Sequence, residues 1–109
     1  MRPGKMYRIK NLKTNRLNTV MRITPTGDWS NSIPRLETEN PRYLKGLVDR
    51  AGKMKLYNDG DLVACLGVTM YDTHHYEKQP FYKVLTLTGD IAYVSKGTRN
   101  KYFELVKQK

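Results

Sequence analysis

Phe81-Tyr82-Lys83-Val84-Leu85-Thr86-Leu87-Thr88-Gly89-Asp90-Ile91-Ala92-Tyr93-Val94-Ser95 is the stretch that decides the fold of this chain. β-branched and aromatic residues fill both ends of it, as they do in strands that pack on a pleated surface. Gly89-Asp90 interrupts them, and glycine in the first central place suits a two-residue type II′ hairpin loop. The stretch therefore predicts two antiparallel strands, Phe81 to Thr88 and Ile91 to Ser95. Upstream, the turn Asp59-Gly60-Asp61 opens a third apolar run, Leu62 to Met70, in which Gly67 marks a bulge or bend. Downstream, Lys96 to Lys101 reads as a tight polar turn around Gly97, and Tyr102 to Val106 as the closing strand. One curled antiparallel sheet should result, with Val63, Cys65, Val84, Leu87, Tyr93 and Leu105 among its buried residues.

The first half is organised differently. Lys5 to Lys10 and Thr19 to Thr24 read as a basic β-hairpin, the second strand ending before Pro25. It could also extend or cover an open edge of the sheet. Trp29 to Asn40 carries Asn, Ser and Pro and reads as irregular loop. Asn40-Pro41 has the chemistry of a helix start, an N-cap followed by proline at the first helical position. Tyr43, Leu44, Leu47, Val48 and Ala51 then form one apolar stripe, and Gly52 is a stop. A helix is expected over Pro41 to Ala51. The expectation is a single, mainly β domain with one short helix. Residues 1–57 form a basic arm of hairpin and helix, and residues 58–109 the barrel core.

Short strands, close-spaced turns and one long early loop suggest a small barrel. From Asn58 to Lys107 the pattern resembles an SH3-like barrel. The resemblance rests on Gly60-Asp61 before the first strand and the long loop Tyr71 to Pro80 after it. It also rests on the Gly89-Asp90 hairpin and the Gly97 to Lys101 turn before Phe103-Glu104-Leu105-Val106. The stretch is most similar to KOW and other SH3-like modules of transcription, translation and bacteriophage proteins. It is less similar to SH3 domains that bind proline-rich peptides. Met70-Tyr71-Asp72 resembles their Tyr-Asp motif, but Trp29 lies far upstream and their acidic loop is missing. The resemblance implies an accessory binding module of bacteriophage type and carries over no peptide site.

Charge points to the partner. The chain carries a formal net charge of +10. Thirteen Lys and Arg face four acids from Met1 to Tyr57, whereas seven face six from Asn58 to Lys109. Such asymmetry concerns partners rather than fold. Arg8, Lys10, Lys13, Arg16 and Arg22 should form one stripe on the hairpin, with Arg42, Lys45 and Lys53 adding to it. These residues are the expected nucleic-acid contacts, because Lys and Arg neutralise phosphates and release counterions. Tyr7, Tyr43 or Trp29 would offer stacking surfaces if exposed. DNA or RNA is the expected partner. The alternative is an acidic protein met by an SH3-like interaction or virion module.

Other chemistries are poorly served. Asp72-Thr73-His74-His75-Tyr76-Glu77 gathers both histidines beside two carboxylates, but adjacent histidines point apart in an extended loop and the spacing fits no metal motif. A solvated loop is expected there, with no metal and no cofactor. Asp59, Asp61 and Asp90 sit in turns that already account for them. No phosphate-binding glycine loop or nucleophile pattern is present, so no enzymatic activity is expected. Cys65 is the sole cysteine, which excludes an internal disulfide. No apolar run approaches the roughly 20 residues of a membrane span. The expectation is a cytoplasmic protein without membrane contact.

Overall fold

The computed structural model describes residues 1–14, 19–25, 34–40, 55–72 and 78–107. Its strands are β1 (Met6–Ile9), β2 (Val20–Pro25), β3 (Pro34–Glu39), β4 (Leu56–Tyr57), β5 (Leu62–Asp72), β6 (Lys78–Thr86), β7 (Ile91–Ser95) and β8 (Phe103–Leu105). Among the described residues a helix, α1 (Lys96–Tyr102), joins β7 to β8. The eight strands form one strongly curled sheet, a half-barrel, in the order β4-β2-β3-β7-β6-β5-β1-β8. The chain is mainly β, as its alternating apolar runs require.

The β5-β6-β7 meander is the expected one. Val63, Cys65, Val84, Ala92 and Val94 point into the core. The register shifts between Cys65 and Gly67, so the bulge falls where the glycine marked it. Gly67 adopts φ +147°, which a side chain rarely tolerates. The hairpin tip differs from expectation. β6 ends at Thr86, whose carbonyl accepts from Gly89 N–H at 3.0 Å, while Thr86 N–H donates to the Asp90 carbonyl at 2.9 Å. The loop is thus Leu87-Thr88-Gly89, with Gly89 at φ +84° in its left-handed position. Leu87 stands at this tip and is 57% exposed rather than buried. Leu105 is also exposed, near the end of edge strand β8, and Tyr93 is only half-buried.

Three further readings are corrected. β1 and β2 do not form a hairpin. β1 lies between β5 and β8, and β2 between β3 and β4, all antiparallel. Tyr7 and Ile9 bury opposite Val63 and Phe103. Pro34–Glu39, read as loop, is a strand that buries Leu36. The polar turn at Gly97 is helix α1, whose N-cap Ser95 accepts from Thr98 N–H. The closing strand joins the same sheet as expected, antiparallel to β1. The helix expected over Pro41 to Ala51 lies outside the described residues. The core gathers Tyr7, Ile9, Leu12, Met21, Leu36, Tyr57, Val63, Cys65, Val84, Ala92, Val94 and Phe103 from both halves of the chain. Among the described residues no helix is long and apolar enough to cross a membrane.

Candidate nucleic-acid interface

The expected stripe depended on the β1–β2 hairpin and does not exist in that form. Four strands separate β1 from β2 in the sheet, so Arg8 and Arg22 stand far apart in strand order. Arg22 is 13% exposed and donates from Nη2 to Glu39 Oε2 at 2.9 Å. That guanidinium is committed within the fold. Arg8 faces outward on β1, half-exposed, with Nη1 3.4 Å from Glu104 Oε1. A pair this long and exposed holds the arginine weakly. Arg16, Arg42, Lys45 and Lys53 lie outside the described residues, as do Trp29, Tyr43 and the His74-His75 loop. Tyr7 is a core residue whose hydroxyl accepts from Arg2 N–H at 2.7 Å, so it offers no stacking face.

Lys10 and Lys13 are placed by a fastened turn. Lys10 N–H donates to the Tyr102 carbonyl at 2.8 Å, and Asn11 Nδ2 to the Lys101 carbonyl at 2.9 Å. Asn11 itself takes φ +65°, a conformation asparagine tolerates better than most residues. The Asp59 carboxylate accepts from Leu12 and Lys13 N–H at 2.9 and 3.0 Å. Leu12 anchors the turn in the core at 1% exposure. The Lys10 and Asn11 bonds dock the turn on the C-terminal end of α1, and the Asp59 pair fastens it to the turn before β5. Lys10 and Lys13 thereby join Lys101 around one corner, with Lys96 and Arg99 on the same helix. Lys10, Lys13, Lys96 and Lys101 form no ion pair among the described residues.

Sequence reasoning missed α1 as a source of charge. Totals hid it, because the second half is nearly neutral as a sum. The signal was local: Lys96-Gly97-Thr98-Arg99-Asn100-Lys101 holds three cations and no acid. Arg99 and Lys101 also lie in the last turn, where the helix dipole favours cations.

Four of the described acids face cations away from this corner. Glu104 faces Arg8, Glu39 faces Arg22, Glu37 faces Arg35, and Asp90 faces Lys55. Asp59 and Asp61 accept backbone N–H groups, as their turn positions suggested. The Asp59 carboxylate lies beside this turn, so the corner's three lysines outnumber it rather than escape it. Such a corner attracts anions by charge and offers its ammonium groups as donors. No group of three or more His, Cys, Asp or Glu that could hold a metal occurs among the described residues. Compared with protein-family models, curated proteins and solved structures, the chain matches none.

Proposed function

We propose that this chain is a non-enzymatic nucleic-acid-binding accessory protein, built on an SH3-like barrel and gripping mainly the phosphate backbone. The observation that carries the reading is the excess of lysines, Lys10, Lys13 and Lys101, over the Asp59 carboxylate at one fastened corner. Counterion release supplies the affinity, with little dependence on sequence. The barrel reading is supported by the β5-β6-β7 meander, by the short helix before the last strand, and by β1 seated between β5 and β8. The working place proposed is the cytoplasm, in the manner of a bacteriophage accessory protein.

Fluorescence anisotropy with labelled duplex DNA, single-stranded DNA and RNA tests the reading. Binding should be evident at low ionic strength and weaken steeply toward ~0.15 M salt. Indifference to all three probes at low salt, with retention of a polyanionic protein on the same corner, would transfer the corner to an acidic protein partner.

A further inference from the structure

A different face of the sheet carries apolar side chains that the core does not use. On the convex side, Met6, Ala64, Leu85 and Ile91 stand opposite one another in a single row across β1, β5, β6 and β7. Leu85 and Ile91 are 39% and 38% exposed, and Met6 and Ala64 are partly exposed. Leu62, which pairs with Arg8 on this face, is 39% exposed and extends the row. Their inward neighbours Tyr7, Val63, Val84 and Ala92 are buried, so the alternation is regular and the outward apolar choice is not imposed by the core. A sheet face turned to water normally carries polar residues. In a chain with a mean hydropathy of −0.69, three outward apolar side chains in adjoining register, Leu62, Leu85 and Ile91, mark an interaction surface.

Charge selects the occupant. Lys83 borders the row on β6, facing outward beside Leu85 without an ion pair among the described residues. Arg8 borders it on β1, only loosely held by Glu104 at 3.4 Å. A second copy brings +10 against +10 and the same two cations against themselves. An acidic partner is instead steered in and finds a cation at either border. We infer that this convex face docks a protein element with an apolar stripe flanked by carboxylates, such as an amphipathic helix bearing Leu and Glu. Leu85 and Ile91 lie on β6 and β7, strands that carry none of the corner lysines, so the chain would join an acidic protein to a nucleic acid.

Isotope-labelled full-length protein titrated with a synthetic Leu/Glu amphipathic helical peptide tests this. Amide shifts should concentrate at Met6, Leu62, Ala64, Leu85 and Ile91. A peptide with Lys in place of each Glu should bind at least tenfold more weakly. Leu85→Thr with Ile91→Thr keeps β-propensity at exposed positions; it should weaken peptide binding at least tenfold and leave oligonucleotide binding unchanged. Light scattering should report a monomer without peptide. The inference is overturned if the acidic peptide fails to bind at ~1 mM, if the double variant binds it normally, or if the Lys peptide binds equally well. It is also overturned if the protein dimerises through these residues, which makes a second copy the occupant. The oligonucleotide arm fails or succeeds independently, so loss of one proposal is distinguishable from loss of the other.

Discussion

Tyr57 connects the core to the surface through hydroxyl groups. It is fully buried, and its hydroxyl donates to Thr86 Oγ1 at 3.1 Å and lies 2.8 Å from Thr88 Oγ1. Thr88 donates to Asp90 Oδ2 at 2.7 Å, and Lys55 Nζ meets the same oxygen at 2.7 Å. The chain of contacts binds β4 to the tip of the β6–β7 hairpin, two elements otherwise far apart in the sheet order. Tyr57→Phe removes the linking hydroxyl and should lower stability by about 1–3 kcal/mol, read as an earlier urea midpoint with an unchanged slope. The hydrogen bond from Lys55, then that from Thr88, holds the Asp90 carboxyl below its ordinary 3.8. The hydrogen bond to Asp90 raises Lys55 above 10.5. A depressed carboxyl stabilises above its unfolded value and loses that contribution as pH falls through its folded value. A raised ammonium stabilises below its unfolded value and loses its contribution as pH rises through its folded value. The stability difference between the protein and its Asp90→Asn variant should therefore be flat from roughly pH 5 to 9 and shrink below about pH 4. A difference that grows on acidification would contradict the geometry. None of this network was legible in the sequence, where Asp90 was already explained as a turn residue and Tyr57 stood beside a turn without a visible partner.

Elements were legible in proportion to how much apolar surface each one carries. β5, β6 and β7 announce themselves through repeated Val, Leu and Ile. β3 does not, because Leu36 is the only apolar side chain between Pro34 and Glu39 that it buries. Its other positions serve β2: Thr24 Oγ1 donates to Glu37 Oε2 at 2.7 Å, and Arg22 pairs with Glu39. A strand held by polar cross-strand pairs looks like loop when read one residue at a time. Leu36→Ala should cost about 2–5 kcal/mol by loss of transfer energy and creation of a cavity. A cost under ~0.5 kcal/mol, the range of surface positions, would make β3 peripheral. Helix α1 was missed for a related reason. Seven residues with a glycine and no buried side chain leave no apolar periodicity to detect. Its start was nevertheless written in Ser95 and Thr98, since Ser95 Oγ accepts from Thr98 N–H at 3.3 Å. Ser95→Ala should lower stability by about 0.5–2 kcal/mol in thermal or urea unfolding. It should also loosen the Lys101 carbonyl that receives Asn11, seen as faster hydrogen exchange at Lys10 N–H.

At the scale of the molecule, pairing rather than composition decides where charge is free. The sequence correctly located the excess of cations in the first half, but their grouping followed from an assumed hairpin. Topology replaces that grouping. Arg22 is drawn into β2–β3, Arg8 into a loose pair on β1, Lys10 onto α1 beside Lys101, and Lys13 onto Asp59. Long-range strand partners are chosen by burial across the whole sheet, which no local pattern contains. Of the expected contact residues that are described, Lys10 and Lys13 keep their assigned role in the proposal, and Lys101 joins them. The slope of log K against log salt for single-stranded and duplex oligonucleotides measures how many phosphates this corner neutralises. The intact protein should show a slope near −4 to −5 on duplex DNA, as expected for about four to six contacts. Lys10→Ala, Lys13→Ala and Lys101→Ala combined should flatten it by about 2 to 3 units, while Arg22→Gln leaves it unchanged. An unchanged slope in the triple variant, or no nucleic-acid affinity in the intact protein at low salt, would contradict the account.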